Sequence, residues 1–523
     1  MIKTSAIGPL KHPPFRVVWT AALLVQLAIW MQNSGAAWMM TELSSSRLMV
    51  SLVQTAMALP CFLLGLPSGV FADLFDKKRL LIMTQVGSFS VCILLLLFAA
   101  FDYLTAWPLL LLTFALGSFN ALSMAAWLSS TIQLAPAGQL SAAFALSSIS
   151  PNIGRVIGPA LAGICIAFFG VTMLFSIVSL CFILVLLLLT KLKPVKKEGL
   201  LPPERLWTGM MNGLQYMRHS QQQRMALHYV FLFDLTGCVL WALLPLIAKE
   251  QLKLDANGYG LLLGCLGVGA IISATQLPNL LNRVPIRKLL VLSSLLYAAV
   301  MMIIPFIHNT TAVCCLLVVA GACWVGVNTS AGTVIQSTAA AWVRARVASI
   351  QLLVIMGAMA LGAIIWGLVA DNLSLSYTFI IAGVCLIIGV VIAGNHPLNL
   401  GSEADFSSVK TPNFQPVMLE IAMDDGPVAV EIDYRVSESE KEGFLEIARN
   451  VGTIRRRNGA LKWRVYRDLS QPDHYTERFI VTSWAEYLRQ RERATQADKV
   501  GALKLKLFQY SPEGDIQRFV AVL

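Results

Sequence analysis

Arg155, Asp234 and Glu42 stand within or at the end of long apolar runs, where an ionised side chain is costly unless it meets water, an opposite charge or a ligand. A guanidinium at Arg155 either binds a carboxylate or other anion in planar fashion or snorkels to the membrane face. Asp234 can hold a proton in one state of a cavity and release it in another, or act as a structural acid bonded to Thr236 or a neighbouring helix. Glu42 lies near a span end, where interface exposure explains it equally well. Gln26, Trp30, Asn33, Gln54, Asn120, Trp127, Asn152, Asn328 and Gln336 place amides and rings in the same apolar stretches. A cavity mixing such groups suits a bulky amphipathic organic solute better than a bare ion. The 10 cysteines are scattered without metal-ligand spacing, so neither a metal nor a cofactor is expected.

The elements that position these residues are membrane helices. A run of roughly 20 apolar residues spans the hydrocarbon, and its backbone must be satisfied within a helix. Val17–Met40, Met49–Ala72, Ser141–Phe169, Val171–Leu192, Met225–Ala248 and Leu375–Asn395 are such runs, and the pattern predicts about twelve spans up to residue 396. Val17–Met40 has no small-residue processing site after it, so it reads as a first span and not as a cleaved leader. A polar stretch after the sixth span divides the spans into a six-helix bundle over 1–192, a central loop over 193–221 and a second six-helix bundle over 222–396. Beyond it come a linker over 397–416 and a polar domain over 417–523.

Lys77, Lys78, Arg79, Lys191, Lys193, Lys196, Lys197, Arg283, Arg287, Lys288, Arg344 and Arg346 fall on one side of the spans. Arg47, Lys249 and Lys253 fall on the other. The bias predicts that both termini are cytoplasmic. It also accounts for the formal net charge of +11, which is dispersed over loop ends and does not indicate nucleic-acid binding.

Between the second and third spans the chain reads Gly69, then three residues, Asp73, Leu74, Phe75, Asp76, Lys77, Lys78 and Arg79. Gly69 permits close helix approach, and Asp73 beside the basic run can latch a gate. This segment resembles the loop signature of the major facilitator superfamily, with Leu74 where a basic residue is usual and Asp76 where Gly is usual. The fifth span carries Gly154, Gly158, Pro159 and Gly163, which favour tight packing and a helix bend. It resembles the fifth-helix signature of proton-coupled exporters of that superfamily, with Ala162 in place of a usual Gly. The resemblance implies a bacterial inner-membrane secondary transporter with the proton as coupling ion.

In the polar domain, Val428–Tyr434, Leu461–Arg467, Arg478–Thr482 and Leu503–Phe508 read as strands, and Glu440–Arg457 and Trp484–Arg493 as helices, in βαββαβ order. This region resembles the soluble domain of the transmembrane secretion effector branch, related to enterobactin exporters. That domain is similar to the antibiotic-biosynthesis monooxygenase ferredoxin-like domain. His474, Tyr475, Asp473 and Arg478 could bind a small acid there, yet no nucleophile–base pair or metal set is spelled out; the fold resemblance implies a regulatory or self-associating domain and not an enzyme. Arg455, Arg456, Arg457 and Arg464 read as a solvated surface near the lipid.

The sequence thus predicts an all-α polytopic membrane protein with an appended α+β ferredoxin-like domain. Its expected function is export of siderophore-like or drug-like molecules, with import or facilitated passage, and a membrane-anchored enzyme, as the alternatives.

Overall fold

The computed structural model describes residues 8–136, 139–192, 206–394 and 421–496, the short stretches 503–505, 507–508 and 516–522, and residues 398, 400 and 498. Its helices are α1 (Pro13–Leu43), α2 (Arg47–Leu74), α3 (Lys77–Ala100), α4 (Ala106–Gln133), α5 (Leu140–Thr190), α6 (Leu206–His219), α7 (Gln221–Leu246), α8 (Ala256–Leu281), α9 (Ile286–Ile303), α10 (Thr310–Ser337), α11 (Arg344–Asn372) and α12 (Leu375–Gly394). Among the described residues, 11 helices are long and apolar enough to cross a membrane. One of them holds more than one crossing. The 51 residues of α5 would be about 77 Å long if straight, against roughly 30 Å of hydrocarbon. The helix breaks at Gly170, where φ is 79° and ψ is 171°. A Cβ there would meet nothing within 4 Å among the described residues, so conformation and not space demands glycine. The break falls between the predicted spans Ser141–Phe169 and Val171–Leu192.

The chain divides into two compact units. The first holds Met1–Leu200, His228–Ser330 and Leu352–His396; the second holds Leu201–Leu227, Ala331–Gln351 and Pro397–Leu523. In the second unit the stretch read as a loop contains α6, whose Tyr216 is 1% exposed.

The rest of the second unit is a four-stranded sheet of β1 (Val428–Arg435), β2 (Lys462–Arg467), β3 (His474–Val481) and β4 (Gln517–Val520), with helices α13 (Lys441–Arg457) and α14 (Trp484–Glu492). The order β2-β3-β1-β4, antiparallel throughout, is the ferredoxin-like arrangement. Val428, Val430, Ile432, Phe444, Val451, Phe479 and Val481 fill the core between sheet and helices. The last strand is not where the alternating Leu503–Phe508 run predicted it. Residues 503–505 are helical, Leu505 drops into the core, and Gln517–Val520 pairs with β1 instead. An alternating run satisfies one buried face in several ways, and the free edge of β1 chose the partner.

Candidate transport site and gates

Asp234 lies on α7 with 0% exposure. Its Oδ1 accepts from Asn328 Nδ2 on α10 at 3.3 Å, and the same amide reaches the Trp324 carbonyl at 3.4 Å. Asp234 Oδ2 and Asn328 Oδ1 have no hydrogen-bond partner among the described residues. Aromatic rings continue outward from this pair. Phe233 and Trp324 have centroids 5.3 Å apart, Trp324 and Trp241 5.7 Å, and Trp241 and Trp30 6.2 Å. Tyr297 braces the start of the run, its hydroxyl donating to the Gly237 carbonyl at 2.9 Å. At the far end the Arg155 guanidinium lies 5.3 Å from the centre of the Trp30 ring, with its Nε unpartnered among the described residues. Stacking on an indole suits a planar guanidinium and leaves its N–H groups available to an anion. The first and second halves of the membrane part therefore meet through Trp30 and Trp241.

A cleft adjoins that meeting point, lined by Trp30, Asn33, Gln54, Trp241, Tyr259 and Leu263 among others. Asn33 Oδ1 and Trp241 Nε1 are buried without partners among the described residues. The cleft thus offers an acceptor, a donor and indole faces, groups complementary to a molecule with both rings and polar atoms. Sequence reasoning missed Trp241 and Tyr259. Trp241 follows Asp234 by about two helical turns and so shares its face, a spacing that could have revealed it.

The bundle end where α1 meets α2 is held shut. Asp371, at the end of α11, accepts from Ser46 Oγ at 2.7 Å and from the backbone N–H groups of Arg47 at 2.6 Å and Leu48 at 3.2 Å. This carboxylate from the second half caps the N-terminus of α2 in the first half, where the helix dipole and free N–H groups favour negative charge. Arg47 pairs with Glu250 at 3.0 Å and donates to the carbonyls of Ala370 and Leu373. Lys249 donates to the Thr41 carbonyl. Arg47 and Lys249, exceptions to the charge bias in the sequence, are parts of this closure.

At the opposite end of the helices Asp76 caps α3, its Oδ1 accepting from Arg79 N at 2.9 Å. Lys78 donates to the carbonyls of Thr190 and Leu192 at the end of α5. Both contacts lie within the first half, so they hold helix ends together. Lys77 also has a partner, and the Asp73 side chain lies outside the described residues. A Cβ on Gly69 would meet nothing within 4 Å among the described residues, so the close approach expected there does not occur.

The family model described as "Transmembrane secretion effector" matches residues 4–521. The chain belongs to this family. A staphyloferrin A transporter of Staphylococcus aureus (strain NCTC 8325 / PS 47) is 23% identical over 71% of this chain and 92% of its own. An uncharacterised MFS-type transporter, YfiS of Bacillus subtilis (strain 168), is 30% identical over 38% of this chain and 46% of its own. Among solved structures, the nucleoside transporter NupG aligns with TM-score 0.60 at 13% identity, over 72% of this chain and 98% of that one. A bacterial homologue of the human lysosomal transporter Spinster, inward-facing and unoccupied, aligns with TM-score 0.57 at 15% identity, over 73% and 96%. This secretion-effector chain is a multi-pass membrane transporter of the major facilitator type with a small-molecule substrate, and its family and relatives are transporters, not enzymes.

In this transporter the α5 glycines serve as contact points. A Cβ on Gly154 would lie 3.0 Å from the Gln26 backbone, on Gly158 2.7 Å from Trp30 Cβ, and on Gly163 2.7 Å from the Ala256 carbonyl. Gly260 returns the contact, 2.8 Å from the Pro159 carbonyl, so α5 and α8 pack backbone to backbone across the halves. Gly269 is among the tightest glycines, where a Cβ would lie 1.9 Å from the Val318 carbonyl, whereas Gly264 on the same helix faces nothing within 4 Å among the described residues. Gly269→Val is therefore expected to destabilise the transporter by about 1–3 kcal/mol or more, and Gly264→Ala to leave it unchanged. Thermal unfolding of both variants in one detergent checks this, and equal midpoints would refute it.

The other expected site residues of this secretion effector scatter. Glu42 is exposed at the end of α1 and accepts from Trp38 Nε1 at 2.9 Å. Gln336 is exposed, belongs to the second unit and does not line the cleft. Trp127 Nε1 is buried without a partner on α4, and Asn120 lies on that helix, but neither lines the cleft. Asn152 has a partner and is exposed. In the soluble domain His474 faces Asp433 and Asp468 at 3.5 Å, Arg435 pairs with Asp473, Arg478 pairs with Glu431, and Tyr475 is core. Among the described residues these charged groups have partners within the domain. Nor is the arginine run of α13 simply solvated. Arg455 donates to buried Glu477, which also accepts from Tyr434 and Trp463, while Arg456 lies over Trp463 and Arg457 pairs with Asp498. Burial and the Glu477 charge hold the Tyr434 phenol well above its ordinary range.

Proposed function

We propose that this transporter exports amphipathic organic molecules, siderophore-like or drug-like, across the bacterial inner membrane in exchange for protons, by alternating access between its two halves. The observation that carries the reading is Asp234, a fully buried carboxyl with one amide partner among the described residues, on the helix that contributes Trp241 to the cleft. Coupling requires a carboxyl that is shielded in one state and reaches water in another, and a fully buried one meets the first condition. The relative named for staphyloferrin A transport supports a small organic cargo. The charge bias supports cytoplasmic termini, which makes the Asp371 closure the outer gate. The Gly69–Arg79 loop then belongs to the cytoplasmic gate. Half-exposed Tyr466 and Phe519 on β2 and β4 support self-association of the soluble domain.

Purified protein in sealed vesicles, given candidate solutes and an imposed proton gradient, tests the reading. Movement toward the side of higher proton concentration supports exchange. Movement along the gradient points to an importer, and gradient-independent equilibration to a facilitator. Arg155→Lys is expected to lower transport about tenfold or more if a planar anion contact is used; an unchanged rate would place Arg155 outside recognition.

A further inference from the structure

The second compact unit joins pieces far apart in sequence: α6 and the first turns of α7, the end of α10 with the turn into α11, and the ferredoxin-like domain. Its contacts are buried and specific. Tyr216 on α6 receives a hydrogen bond from the Ala340 N–H at 3.1 Å and donates to the Thr338 carbonyl at 3.2 Å, which pins the start of the α10–α11 turn. Gln223 adds a bond to the Ile335 carbonyl at 3.3 Å, and Trp342 meets Tyr216 edge-on at 5.8 Å.

The soluble domain grips the same residues. Arg493 stacks its guanidinium 4.3 Å from the centre of the Trp342 ring and pairs with Glu486, and these charged residues are 4% and 2% exposed. Glu486 also accepts from Asn212 of α6 at 3.0 Å, and Arg493 donates to the Asn458 carbonyl at 3.1 Å. Arg457, held by Asp498, lies 5.4 Å over Tyr216. Gly459, at φ 119°, makes room: a Cβ there would come within 2.9 Å of Glu486 and 3.0 Å of Arg493. A buried ion pair is tolerated only where its remaining donors and acceptors are satisfied, and here those partners come from α6 and the turn as well as from the domain itself.

We infer that the C-terminal domain is built into the α10–α11 turn: the Arg493–Glu486 pair clasps Trp342 and Asn212, so that the turn cannot change shape without the domain. A domain merely tethered by its linker would have no need to bury charges against α6 and the turn. Since α7, α10 and α11 run on into the membrane, whatever binds or distorts the domain bears on the helices that carry Asp234 and Asn328. That consequence rests on the alternating-access reading above; the coupling between domain and turn does not.

Hydrogen exchange on the full reconstituted chain tests the clasp without a substrate. Arg493→Ala is expected to speed exchange about tenfold across residues 338–346. Reciprocally, Trp342→Ala is expected to speed it across 484–493, because a coupling acts equally in both directions. Peptides from β1 should stay protected in both variants, showing that the domain remains folded. Should Arg493→Ala not fold, Arg493→Lys keeps the charge on Glu486 but loses the planar stack, and should give the same change to a smaller extent. If each substitution speeds exchange only around its own position, the domain is tethered and the inference falls.

Discussion

Asp234→Asn is expected to yield a transporter that inserts and folds yet no longer moves its substrate against a proton gradient. The amide is nearly isosteric and can still accept from Asn328, so the contact at 3.3 Å survives. What it cannot do is bind and release a proton. Gradient-driven transport should fall about 100-fold, equivalent to about 2.7 kcal/mol, while solute exchange across vesicles with no gradient continues. Glu42→Gln is the control: an exposed carboxylate at a helix end, bonded to a residue of its own helix, gives no reason for loss. If Asp234→Asn keeps the parental gradient dependence, the coupling group is elsewhere and the exchange proposal loses its main support.

Removing Asp371 is the second large effect. Asp371→Ala deletes the acceptor of Ser46 Oγ and of the Arg47 and Leu48 N–H groups and leaves the N-terminus of α2 only the long bond from Met49 N to Ser46 Oγ at 3.4 Å. Asp371 is exposed, so water offsets part of the loss, and about 1–2 kcal/mol is a fair figure for a helix cap at the surface. That shifts the balance between closed and open gate about 5- to 30-fold toward open. Spin labels at Ser45 and Asn372, in a background without the native cysteines, should report a longer distance population in the variant. An unchanged distribution would mean that the α2–α11 and α5–α8 packing, and not the cap, holds this end shut.

The placement of the helices was legible because lipid imposes a one-dimensional rule. Each crossing must be apolar, helical and of about the same length, so the runs announce themselves, including the division of α5 at Gly170. The presence of Arg155 and Asp234 within such runs was legible for the same reason: a costly charge marks itself. The gates were not. Asp371, Arg47 and Glu250 each read as an ordinary residue at a helix end, and only the approach of α11 to α2 gives them one function. The α5 glycines were visible, but whether they bend a helix or admit a neighbour depends on what lies opposite, and Ala256, Gln26 and Trp30 lie opposite.

By itself the sequence determined the membrane class of this protein, the order of its membrane-crossing runs, the alternation of strands and helices in its soluble domain, and the presence of polar residues among apolar ones. Periodicity and burial cost act on neighbours along the chain, and those features need nothing more. The tertiary structure alone decided that an aromatic line links Arg155 with Asp234, that Asp371 closes one end, that β4 lies at Gln517–Val520, and that Arg493 stacks on Trp342. Each is a contact between residues distant in sequence. Its energy comes from matched geometry, which composition does not encode.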